Sequence, residues 1–250
     1  MSGRRWLGVA WVAPAACFSV AAVDRAADAA GPPATTTLAP LDDAGGAAAD
    51  AATRILTGSR AAYAACATYE DDGVFDIWSA GWGFHETGTF RTVFAGPQAL
   101  RFAYRQWTPP GSRAFWLQVV ADDAGVRFTI GPDQRAQEAK SLNQGIAALT
   151  GVSHGLAAFV TALLPTGVRA RPVLDVTDAR VSTYGDLDGT TCDLIDAMWA
   201  GHREQLWIAR SDSLIRRVVL QVGSVTTADY HPRCNQPIAP DALRGSDGGL

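Results

Sequence analysis

Few residues in this chain could do chemistry, and their spacing argues against most of it. The histidines are His85, His154, His202 and His231, each far from the next. Zinc sites commonly draw two imidazoles from one helical turn, and no pair here has that spacing. His85 and Glu86 are adjacent in a segment with strand character, so their side chains point to opposite faces and make a poor acid/base pair. His154 opens a helical segment and reads as surface. Gly81-Trp82-Gly83 lacks the lysine and the strand-to-helix setting of a phosphate loop, and no G-x-S-x-G elbow occurs. Asp186-Leu187-Asp188-Gly189 supplies turn residues but not the remaining ligand positions of a calcium loop. These patterns predict no catalytic residue, no metal and no cofactor. A hydrolase assembled from distant residues, with His85 as its base, stays open as an alternative.

The cysteines are Cys17, Cys66, Cys192 and Cys234. In an oxidising compartment two of the last three can pair. The expected bridge is Cys66–Cys192, tying a first helix to a late strand, with Cys234 as the odd thiol beside a Pro-rich tail. Buried free thiols are the alternative.

An oxidising compartment is expected because Arg4-Arg5 precede an apolar run from Trp6 to Val23. A basic start, an apolar stretch and then small residues describe a secretory signal over 1–23. Cleavage would fall near Ser19-Val20-Ala21 or Ala27-Asp28-Ala29. An uncleaved anchor and lipidation at Cys17 remain open, and each places the domain in the periplasm or cell envelope. Residues 24–48 are Ala, Asp, Gly, Pro and Thr with almost no large apolar side chain, which predicts a disordered linker. The folded domain is then expected over 49–235, with a flexible tail over 236–250.

In the 250-residue chain 48% of residues are hydrophobic, enough to bury a core, and the formal charge is −4. That balance, with no basic patch, argues against nucleic-acid binding. Lys140 is the single lysine.

Periodicity changes along the domain. Ala49–Ala67 has helical spacing at Ile55, Leu56, Ser59, Ala62, Tyr63 and Cys66. Strand patterns follow over 73–79, 84–94, 100–105, 114–120 and 126–130, joined by short turns that imply antiparallel neighbours. Leu142, Ile146, Leu149 and Val152 then return to helical spacing, and a second helix is expected from Gly155 to Leu164. Strands resume over 173–183, 190–199, either side of Ser211-Asp212-Ser213, and 226–231. A three-residue turn there would set Trp207 opposite Arg217 as a cation–π pair.

Tyr63–Val74 (YAACATYEDDGV), Phe90–Tyr104 (FRTVFAGPQALRFAY), Ser141–Val152 and Leu206–Val218 (LWIARSDSLIRRV), with this order of elements, resemble the LolA-like family of outer-membrane lipoprotein-sorting and lipid-binding proteins. The likeness spans about 49–238. Ala209 stands where that branch usually has Asp after Leu-Trp-Ile, and Gly96-Pro97 stands where it often has Arg-Pro. The resemblance implies an α+β fold: an antiparallel half-barrel sheet with an N-terminal helix and a two-helix lid. It also implies a non-catalytic, membrane-proximal protein that holds lipid or lipoprotein acyl chains in an apolar concavity. Candidate lining residues are Phe102, Tyr104, Trp116, Phe128, Leu142, Ile146, Leu149, Phe159, Leu163 and Trp207. If sheet and lid meet tightly these residues are a core; if they stand apart they line a pocket. The second reading is a sensor or interaction module of RseB type, with an envelope protein as partner.

Overall fold

Alternating side chains build most of this molecule. The computed structural model describes residues 46–79, 81, 83–107, 115–131 and 135–244, so the expected signal segment and Cys17 lie outside the described residues. The elements are α1 (Gly46–Ala64), β1 (Tyr69–Ser79), β2 (Phe84–Phe94), β3 (Leu100–Trp107), β4 (Phe115–Asp122), β5 (Gly125–Ile130) and β6 (Gln137–Ala139). There follow α2 (Leu142–Thr150), α3 (Leu156–Phe159), β7 (Val176–Leu187), β8 (Thr190–Trp199), β9 (His202–Ala209), β10 (Ile215–Val222), β11 (Ser224–Tyr230) and β12 (Arg233–Cys234).

One antiparallel sheet runs β6-β5-β4-β3-β2-β1-β11-β10-β9-β8-β7, with β12 added beside the start of β1. It consists of two meanders joined at a single seam, β1 against β11. Two-residue turns set the register. At Asp188-Gly189 (φ 52° and 78°) and Ala200-Gly201 (φ 50° and 82°) both central residues are left-handed, the turn whose twist matches the strands it joins. The Asp186 carboxylate accepts from the Gly189 N–H at 2.8 Å, so the predicted turn is a turn. In the order, β6 and β7 are the two ends and do not pair with each other, which leaves an open half-barrel.

The helices lie on the concave side, where the buried apolar residues of both meanders form one cluster with them. Packed against β7, α1 buries Ala52, Leu56, Ser59 and Tyr63. The Tyr63 phenol oxygen accepts from the Ile215 N–H at 3.2 Å and so fixes the helix to β10. On β4, β5 and β6 sits α2. Ser141 caps its start by accepting from the Gln144 N–H, and the Gln144 side chain accepts from the Lys140 N–H at 2.8 Å. A Cβ on Gly145 would stand 2.8 Å from the Val119 side chain, so glycine is what lets this helix approach β4 so closely.

Several expectations need correction. The disulfide joins Cys66 to Cys234, not Cys66 to Cys192. Pairing of β12 with β1 sets Cys234 across from Tyr69, and the Cα atoms of Cys66 and Cys234 are 5.5 Å apart. Cys192 is the free thiol, buried in β8. The chain beyond 235 does not leave the domain at once: Thr68 donates to the Gln236 carbonyl, and Ala242 is buried with its carbonyl facing Arg101. The first helix starts at Gly46, inside the expected linker. The second lid helix is only Leu156–Phe159, followed by turns to Leu164. There the β-branched pair Val160-Thr161 follows the last turn, and the Thr161 hydroxyl donates to the Ala157 carbonyl at 2.5 Å. Finally, a bulge between Ile215 and Arg217 lets Leu214, Ile215 and Val218 all be buried where strict alternation could bury only two of them.

Candidate functional site

The concave face is built on two glycines. Gly73 in β1 pairs with Phe90 in β2, and a Cβ there would lie 2.1 Å from the Phe90 ring. The ring therefore lies flat across β1 and meets Tyr230 of β11 edge-on at 4.9 Å. Gly88 in β2 does the same for Phe75, which crosses β2 to stack on Tyr104 of β3 at 4.6 Å. The absent side chains thus create an aromatic platform spanning β11 to β3, across the seam between the meanders.

The lid helices share one buried cluster with this platform. Phe102, Tyr104, Ile146, Leu149 and Phe159 are each 0–1% exposed and belong to one packed cluster, with Leu142 at its edge. Of the two arrangements open at the sequence level, the structure shows the tight one. Phe128 and Leu163 are half-buried against the same cluster. Trp116 and Trp207 do not join it. Trp116 pairs with Arg105, the neighbour of inward Tyr104, and Trp207 lies between inward Leu206 and Ile208. By the two-residue period both tryptophans face the convex side. There Arg217 is the cross-strand partner of Trp207 and lies 5.7 Å over its ring, as the three-residue turn predicts. Asp229 accepts from Arg217 Nε at 2.5 Å and Nη2 at 2.9 Å, completing a framework rather than a site.

Polar groups on the concave face fall at two levels. Deep in it, Asp71 is fully buried, accepting from the Tyr69 hydroxyl at 2.7 Å and the Thr92 N–H at 2.9 Å. Burial pushes its carboxyl up to about 6, and burial also raises the Tyr63, Tyr69 and Tyr230 phenols around it. At the other end of the strands, near Ser79 and Thr226, the inward positions include Ser79, Glu86, Gln106, Glu204 and Thr226. Half-buried Phe84, Phe115 and Ile130 share that end. His154, at the start of the second lid turn, reaches Glu86 at 3.4 Å. Glu204 is 1% exposed, and neither carboxyl oxygen has a hydrogen-bond partner among the described residues. Burial pushes it up to about 9, with Arg171 opposing. Nothing in the sequence pattern singles out Glu204, since its burial depends on β8 and β10 packing either side of it.

His85 contacts Asp76 at 2.6 Å, with both side chains well exposed. No group of three or more His, Cys, Asp or Glu among the described residues could hold a metal ion. A cleft of about 230 Å³ between α1 and the β9–β10 hairpin, lined by Arg54, Ile55, Gly58 and Arg210 among others, is small for an organic ligand.

Fold and face together define an open antiparallel half-barrel with a helical lid over an apolar concavity, the architecture the sequence resemblance implies. No family model matches the chain, and no curated protein does. Among solved structures it is similar to lipoprotein LppX of Mycobacterium tuberculosis (TM-score 0.47, 14% identity, covering 76% of this chain and 98% of that one). It is also similar to LprF of Mycobacterium bovis (TM-score 0.45, 11% identity, 76% and 95% covered). A third is MucB in the Pseudomonas aeruginosa MucA/MucB complex (TM-score 0.43, 15% identity, covering 79% of this chain), where the match spans 62% of the MucB chain.

Proposed function

We propose that this chain is a non-catalytic envelope protein that carries the acyl chains of a lipid or lipoprotein against the concave face of its half-barrel, beneath the α2–α3 lid. The observation that carries this reading is the gradient along that face. An aromatic platform packs into one cluster with the lid, and one end of the strands mixes half-buried apolar side chains with Ser79, Glu86, Gln106, Glu204 and Thr226. Such a gradient matches an amphiphile, with its body on the platform and its head at the polar end. In the closed state Ile146, Leu149 and Phe159 pack into the same cluster as the platform rings, so acyl chains enter as the lid lifts and replace those contacts with their own. The two free edges of the sheet allow its curvature to follow.

The test is native mass spectrometry and solvent extraction of the full chain purified without detergent. Acyl-chain lipid retained near one equivalent supports the carrier. A lipid-free protein that takes up none from vesicles refutes it. A second reading, a module that binds an envelope protein, is favoured by Trp78 and the half-exposed Trp107, both outward on the convex side at the same end of the strands. A single protein returning in stoichiometric amount from envelope extract, lost in Trp107→Ala, would select it.

A further inference from the structure

Glu204 is a fully buried carboxyl on the concave face, and among the described residues neither of its oxygens has a hydrogen bond. It lies between Ala197 of β8 and Leu220 of β10, both buried, in a row that continues through Thr226 and Ile77 to Glu86. The cation whose charge acts on it is Arg171, in the segment leading from the lid to β7. That guanidinium is already engaged: its Nε lies 3.2 Å from Asp175 Oδ2, its Nε and Nη2 donate to the Asp175 carbonyl, and it lies 5.5 Å over the Trp199 ring. Buried away from a cation, a carboxyl stays neutral, and it then offers one O–H donor and one carbonyl acceptor. Glu is among the side chains least often fully buried unless paired. An apolar residue would continue the pattern set by Ala197 and Leu220. On the same face Tyr104, Tyr230 and Ser79 also carry buried oxygens with no partner among the described residues. A face built only to be covered by Leu, Ile and Phe of the lid has no use for this set.

We propose that Glu204 sets the specificity of this carrier, selecting a ligand whose apolar body bears an uncharged ester or hydroxyl and rejecting one whose head is an anion. This rests on the carrier reading above. The neutral head pairs with both functions of the carboxyl. A phosphate brought to the same place would be a second acidic group in a low-dielectric interior, with Arg171 committed elsewhere.

Dioleoylglycerol and dioleoylphosphatidic acid share their acyl chains and differ in hydroxyl against phosphate. The full chain is incubated with phosphatidylcholine vesicles holding equal amounts of both, separated from them, and its lipid quantified by mass spectrometry. The wild type is expected to take the diacylglycerol roughly tenfold over the phosphatidic acid, the size of one good hydrogen bond in a buried site. Glu204→Leu, which fills the space, should take both alike. Glu204→Gln, nearly isosteric and still able to donate and accept, should retain diacylglycerol uptake and guards against misfolding of the Leu variant. A wild-type ratio that persists unchanged in both variants overturns the role of Glu204 and leaves the carrier standing. Uptake of neither lipid by the wild type overturns the carrier reading, and this inference with it.

Discussion

Replacing Glu204 by Gln should make the protein more stable, and the gain should grow with pH. In the unfolded chain this carboxyl ionises near its ordinary value of 4.5; in the folded domain burial holds it up to about 9. Between those values the folded state keeps a proton that the unfolded state has lost. The raised group therefore weakens the fold progressively as pH rises from 4.5, and the loss is complete only above about 9. At pH 7 the linkage amounts to about 3 kcal/mol. The amide carries no titratable proton and keeps nearly the same shape, so the variant escapes this loss. With a Tm response of roughly 2–4 °C per kcal/mol for a domain of this size, the gain at pH 7 is about 6–12 °C, falling to near zero at pH 4. Asp71, whose folded value is about 6 against an ordinary 3.8, adds its own decline in stability between those pH values. It is present in both proteins and cancels in the difference. Urea or thermal unfolding of the two proteins at several pH values between 4 and 9 provides the comparison. Parallel stability curves across that range would show that Glu204 is ionised or solvated in the fold, and the burial argument would fail.

Four further outcomes follow from the geometry. Gly73→Ala places a Cβ 2.1 Å from the Phe90 ring, and Gly88→Ala places one 2.1 Å from the Arg105 carbonyl oxygen. Each should cost about 1–3 kcal/mol or more in thermal unfolding, and Gly88→Ala more than Gly73→Ala because backbone yields less than a ring. Non-reducing peptide mapping should recover Cys66 joined to Cys234, with Cys192 alkylated only after unfolding. Cys66→Ser, Cys234→Ser and the double variant should lose the same stability, up to about 5 kcal/mol for so long a loop in the chain-entropy account. Arg217→Ala leaves Asp229 and Trp207 without their shared partner and should cost about 1–3 kcal/mol in denaturant melts; a loss under a few tenths would show the framework to be ornamental.

Strands with clean alternation were legible at the sequence level, and two of them, 84–94 and 190–199, have the expected bounds. The tight turns were legible because Asp-Gly and its relatives supply left-handed conformations that few other residues adopt readily. What stayed hidden depended on partners far away in the chain. The two residues of β12 form a strand only because β1 lies alongside, so Cys234 read as an odd thiol beside the tail and the cysteine pairing came out wrong. Trp116 and Trp207 are aromatic like several of the lining residues, but which face they take follows from strand parity, and composition alone does not reveal it. The platform was hidden for a related reason: Gly73 and Gly88 look like weak points in strands until the rings of Phe90 and Phe75 are seen lying across them.

The seam between β1 and β11 also has a kinetic meaning. Within each meander, neighbours in the sheet are neighbours in sequence, so each can form through short-range steps. Joining the two requires pairs such as Gly73 with Tyr230, which close a loop holding most of the domain. Contacts so distant in sequence are slow to form, because the chain must surrender its freedom before they reward it. Folding should therefore proceed as two half-sheets that unite last along β1 and β11. The aromatic platform, which straddles that line, would be the final part of the interior to assemble, and amide exchange during refolding should show the β11 amides that bond to β1 protected after those of β8 and β9.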